Sequence, residues 1–150
     1  MEEATRYIAF DGAVFSYKED AEFHEIMRRL RAKHTVLGGQ VSDLMRLKHE
    51  VNGKVTKYEN DLKTINDTFK LHPEIMNDTE NVRLMARRIH LRFMLKTTRE
   101  QLKSIKKVLV EQNRKFSKTE MDIRRYTTEH DALVKSQDRK NDGIKEPPIV

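Results

Sequence analysis

From Phe23, alternating steps of four and three residues land on Phe23, Met27, Leu30, His34, Leu37, Val41, Leu44, Lys48, Val51, Val55, Tyr58, Leu62, Ile65 and Phe69. Twelve of these fourteen positions are apolar, and only His34 and Lys48 interrupt the row. A repeat of about 3.5 residues kept over this distance is the pattern of one helix wound against another, because slight supercoiling keeps positions so spaced facing a partner. Gly38-Gly39 lies inside the run. Each glycine costs about 1 kcal/mol against alanine in a helix interior. Leu37 and Val41 nevertheless stay in phase across the pair, so the spacing predicts a helix that continues through it or bends gently. Gly53 is a second soft point.

The boundaries of this helix are marked chemically. Ser16 followed by Glu19 is a capping box, in which the serine hydroxyl and the glutamate carboxylate satisfy helix N–H groups reciprocally. Helix one is therefore expected over 17–71. Pro73 disfavours helical backbone at His72, which makes 72–78 a turn. Asn77 or Asp78 then caps a second helix over 79–136. Its early apolar row is Val82, Met85, Ile89 and Phe93. A second row runs Leu102, Ile105, Leu109, Gln112, Phe116, Thr119, Ile123, Tyr126, His130 and Leu133, so the spacing predicts a phase slip near Leu91–Leu95. The short connection requires the helices to pack antiparallel. Residues 137–150 are polar, end in Glu-Pro-Pro-Ile-Val, and are expected to be disordered.

Residues 1–16 read as a small β-hairpin. Tyr7-Ile8-Ala9-Phe10 is a short β-prone run, and Ala13-Val14-Phe15 returns from it. Asp11-Gly12 between them is a two-residue turn signal of the kind that favours type I′ geometry. Two isolated strands are marginal in water, so Tyr7, Phe10, Val14 and Phe15 are candidates for packing on the helices or on a protein partner. The expected fold class is mainly α: a long antiparallel helical hairpin, a coiled coil, with a small N-terminal β-hairpin.

Composition agrees with that class. The 150-residue chain is 37% hydrophobic and 36% charged, less apolar than the about 45–50% of an ordinary globular domain. A coiled coil needs only a narrow seam. Cysteine is absent, which removes disulfides and thiolate chemistry. The acidic Met-Glu-Glu-Ala start lacks the apolar stretch of a secretory signal, and no apolar run approaches the about 20 residues of a membrane span. A cytoplasmic protein without membrane contact is expected.

Chemistry-bearing constellations are few. The six histidines, at 24, 34, 49, 72, 90 and 130, never fall within four positions of one another, so no local metal pair stands on a helix face. No nucleophile, base and orienting acid group by spacing, and no glycine-rich phosphate loop occurs. The reading is non-enzymatic, with no metal and no cofactor. His34 reads as a polar seam residue that fixes register rather than as a pH switch.

Charge is concentrated. Residues 1–27 carry 7 acidic and 2 basic side chains, whereas residues 83–125 carry 14 basic and 4 acidic. The basic set is Arg83, Arg87, Arg88, Arg92, Lys96, Arg99, Lys103, Lys106, Lys107, Arg114, Lys115, Lys118, Arg124 and Arg125. A solvated coiled-coil face balances Lys and Arg with Glu, and this one does not. The stripe is a candidate contact for nucleic acid or for an acidic partner, although it lacks the interleaved aromatics of a single-strand stacking platform. Ile26, Met45, Leu47, Met94, Leu95 and Val108 broaden the apolar faces beside the seams. That predicts further association, most simply a homodimer.

Tyr7-Ile8-Ala9-Phe10-Asp11-Gly12, Phe15, Glu19-Asp20-Ala21 and His24-Glu25 together resemble the strand, Asp-Gly turn, strand and helix that open many small bacteriophage-encoded proteins. The resemblance covers residues 7–25 and implies a phage protein acting in the host bacterial cytoplasm. It assigns no biochemical role. The leading expectation is an oligomeric coiled-coil interaction protein that organises or inhibits a protein partner, with nucleic-acid binding by the second helix as the alternative.

Overall fold

A computed structural model describes residues 6–72 and 78–137. Strands β1 (Tyr7–Ile8) and β2 (Val14–Phe15) precede two long helices, α1 (Lys18–Leu71) and α2 (Asp78–Ser136). The helices pack against each other as an antiparallel hairpin. α1 is unbroken through Gly38-Gly39. Most of the expected turn and tail, residues 73–77 and 138–150, lies outside the described residues.

The chain divides into two compact units, Met1–Gly39 with Asn113–Val150, and Gln40–Gln112. In the second unit, Val51, Val55, Leu95 and Leu102 form a core to which Tyr58, Leu62 and Ile105 add. In the first, Met27 and Leu37 are buried on α1. Phe23 stacks on His130, with centroids 4.0 Å apart and planes 6° apart, and His34 stacks on Phe116 at 4.4 Å. All fourteen positions of the α1 row are buried or half-buried.

Gly38 belongs to this packing. A Cβ built there would lie 3.3 Å from the Phe116 ring, so the missing side chain is the space the ring occupies. No atom stands within 4 Å of a Cβ at Gly39 or Gly53.

α2 differs from its sequence reading. Leu91 and Leu95 are 5% exposed, while Ile89 and Phe93 are 65% exposed, and Val82 and Met85 also face outward. An inward row runs Asn81, Leu84, Arg88, Leu91, Leu95, Thr98, Leu102, Ile105, Leu109 and Gln112, then Phe116, Thr119, Ile123, Tyr126, His130 and Leu133, with buried Val134 beside its end. The row follows one uninterrupted four-three alternation, so the expected phase slip does not occur. The two threonines of the seam find local partners, whereas Arg88 Nε and Gln112 Oε1 are buried without a hydrogen-bond partner. Thr98 and Thr119 return their hydroxyls to the Met94 and Lys115 carbonyls at 2.6 and 2.9 Å, the back-bonding that lets threonine sit inside a helix. The Arg88 guanidinium lies 4.8 Å over the Phe69 ring.

The N-terminal turn also differs. Tyr7 pairs with Phe15 and Ile8 with Val14. Ala9 N–H donates to the Ala13 carbonyl at 2.9 Å, and Gly12 N–H to the Ala9 carbonyl at 3.0 Å. Phe10, Asp11 and Gly12 therefore form a three-residue loop, with Gly12 at φ 88°, rather than a two-residue Asp-Gly turn. The left-handed conformation at the third loop residue is what glycine supplies without steric cost. This register places Ala9 and Phe15 against Ala21, with Tyr7 and Ala13 alongside. A two-residue turn would shift the pairing by one position and turn one strand's inward side chains to solvent.

Candidate interaction surfaces

The hairpin is clamped to α1 by its loop. Phe10 N–H donates to Glu25 Oε1 at 2.7 Å, and Ala13 N–H to Asp11 Oδ1 at 3.1 Å. His24 Nε2 lies 2.6 Å from Asp11 Oδ2. That imidazole first, and the Ala13 N–H second, hold the Asp11 carboxyl below the usual aspartate range. The first helical bond of α1 runs from Ala21 N–H to the Tyr17 carbonyl at 3.2 Å.

The four hairpin candidates fall on two faces. Tyr7 and Phe15 point inward onto the helix, whereas Val14 and Phe10 point outward, Phe10 at 84% exposure. Ile8 shares this outer face at 71%. The sequence reading missed it because inward and outward positions depend on the loop register.

Three histidines of this unit each meet a carboxylate beside a phenylalanine. His24 has Asp11 and Phe15, His34 has Glu120 at 3.2 Å and Phe116, and His130 has Asp20 and Phe23. The last pair is deepest, with His130 Nε2 2.5 Å from Asp20 Oδ1 and side chains only 9% and 2% exposed. Buried polar groups of this kind persist only when hydrogen-bonded. His34 and His130 lie at seam positions, but the distant partners are visible only once the antiparallel register is known.

The basic residues of α2 do not form one uniform stripe. Arg88 is turned into the seam, and its Nε is buried without a hydrogen-bond partner. Arg125 lies 3.8 Å from Asp122, 4.0 Å from Glu129, and 5.0 Å over the Tyr126 ring. Arg83, Arg87, Lys106, Lys107, Arg114, Lys115, Lys118 and Arg124 are exposed. Arg92, Lys96, Arg99 and Lys103 come together around a shallow trough of about 390 Å³ that Glu100, Leu62 and Leu95 also line. Arg99 is held by Glu59 at 3.0 Å.

Beside that trough runs the exposed row Val82, Met85, Ile89 and Phe93. At 3.6 residues per turn these four fall within about 80° of one another, and their centre lies about 130° round the helix from the seam. The α2 segment 81–99 carries six cationic side chains and no carboxylate.

Among the described residues, no group of three or more His, Asp or Glu side chains is placed to hold a metal ion, and no helix is long and apolar enough to cross a membrane. Comparison with known proteins finds no matching family model, no similar curated protein and no similar solved structure.

Proposed function

We propose that this is a non-enzymatic coiled-coil interaction protein that binds, and organises or inhibits, a protein partner. The supporting observation is the row Val82, Met85, Ile89 and Phe93, exposed on α2 while the inward seam of the same helix is already filled. Scattered exposed apolar residues are ordinary on protein surfaces. Four aligned at helical spacing are a contact surface. The phage-like opening module extends the proposal to a phage-encoded chain acting in a bacterial cytoplasm. Immobilised full-length protein is expected to retain a specific protein from bacterial extract. The Ile89→Gln/Phe93→Gln variant, equally helical by circular dichroism, is expected to lose it. Retention unaffected by that variant removes the reading.

The trough lined by Arg92, Lys96, Arg99 and Lys103 favours a second reading, binding of a nucleic-acid backbone. Phosphate contacts release counterions, so affinity would fall steeply with salt. Titration with duplex and single-stranded DNA and RNA tests it. Absence of binding at low salt, or binding indifferent to Lys96→Glu/Lys103→Glu, rejects it.

A further inference from the structure

We infer that the outer face of α2 from Val82 to Phe93 is a docking surface for an acidic amphipathic helix of another protein, a conclusion that rests on the protein-binding reading above. The first step is geometric. The apolar row advances by three, four and four residues and covers about 80° of the helix circumference, narrower than the about 100° or more of a face that packs into a core. A strip of this width and a length of about 17 Å at 1.5 Å per residue matches one facing helix.

The second step is charge. Arg92 borders the strip on one side, about 65° from its centre, and Lys96 continues its line beyond Phe93, about 25° from the centre. Ala86 and His90 form the other flank, and Arg83 and Arg87 lie beyond them, about 115° and 155° from the centre and off the strip's border. Glu80 and Glu100 are the nearest carboxylates along the chain, both outside the strip. A partner helix with Glu or Asp beside its apolar seam would meet Arg92 on one flank and Lys96 at the end of the strip, as flanking charges do in specific helix pairs.

The same charges oppose a second copy. A two-fold contact must match residue i with j and j with i. An antiparallel two-fold centred on the strip sets Val82 against Phe93 and leaves the Arg92 flank of both copies on the same side of the contact, with no carboxylate between residues 81 and 99 to offset it. Like charges so placed oppose association. The homodimer expected from the broadened apolar faces is therefore disfavoured at this surface.

The test uses the full chain and two synthetic helices of about three heptads, with the same Leu/Ile seam. One carries Glu on its flanks and the other Lys. The Glu-flanked helix is expected to bind, with affinity falling about tenfold or more in Ile89→Gln/Phe93→Gln and in Arg92→Glu/Lys96→Glu, losses of the order of 1.4 kcal/mol or more. The Lys-flanked helix is expected to gain affinity for the charge-reversed variant. Equal binding of both helices, or no binding of the Glu-flanked one, overturns the inference. So does dimerisation in sedimentation that Ile89→Gln/Phe93→Gln abolishes. Binding to phosphatidylglycerol vesicles through the strip, without binding of the Glu-flanked helix, assigns the face to a membrane surface instead. If extract capture depends on Ile89 and Phe93 but is indifferent to Arg92→Glu/Lys96→Glu, the protein-binding reading stands and the acidic partner does not.

Discussion

Alanine substitutions at Gly38 and Gly39 should have opposite consequences, although the two positions are adjacent on one helix. Gly39 has open space where its Cβ would go, so Gly39→Ala collects the helix-propensity gain, about 1 kcal/mol. Part of this gain comes from the less flexible unfolded chain. Gly38→Ala collects the same gain but sets its methyl 3.3 Å from the Phe116 ring edge. The ring is stacked on His34 at 4.4 Å and cannot retreat without disturbing that stack. Overpacking of this sort costs about 1–3 kcal/mol, so the net effect at Gly38 lies between neutral and about 2 kcal/mol of destabilisation. The two variants should differ by about 1–3 kcal/mol, or several degrees in Tm at about 2–4 °C per kcal/mol for a chain near this size. Urea and thermal unfolding followed at 222 nm measure the difference, with Gly53→Ala as a second open-site control. Adding Phe116→Leu to Gly38→Ala should restore most of the propensity gain. Equal stabilisation by Gly38→Ala and Gly39→Ala would refute the close approach of Phe116 and the antiparallel register that creates it. Destabilisation by Gly39→Ala would refute the unbroken helix.

Other positions test the remaining contacts. Leu95→Ala should cost about 2–5 kcal/mol, while Phe93→Ala changes stability by less than about 0.5 kcal/mol. The reverse ranking in chemical denaturation would restore the sequence-expected seam. His130→Ala removes the imidazole hydrogen-bonded to buried Asp20 and should cost about 1–3 kcal/mol, against a negligible effect for exposed His49→Ala. A stable His130→Ala protein would show that the pair is not buried. Because folding lowers the Asp11 pKa, its contribution is present above the unfolded value of about 3.9 and is lost as pH falls through the lower folded value. The hairpin clamp should persist through mildly acidic pH. Carboxyl NMR titration checks this, and an Asp11 midpoint at or above the ordinary value contradicts it.

α1 was legible in the sequence because one apolar row runs its length without a rival of equal continuity, and every member of that row is buried or half-buried. α2 between Val82 and Thr98 was not, because it carries two rows. Leu84, Leu91 and Leu95 compete with Val82, Met85, Ile89 and Phe93, and the second set is the more continuous by composition. The choice is made by α1: the Val51, Val55, Tyr58 and Leu62 row accepts Leu95 and Leu102, and that phase carries Arg88 onto Phe69. Similarly, Asp11-Gly12 announced a turn, but whether it takes two or three loop residues depends on burying Ala9 and Phe15 against Ala21. Both misreadings arise where local pattern permits two registers and only tertiary contact selects one. In α2, the row left outside is the more apolar of the two. A chain that only had to close its hairpin would gain nothing from Val, Met, Ile and Phe facing water between arginines. Under the proposed docking of an acidic helix both rows have a use, one holding α1 and the other the partner.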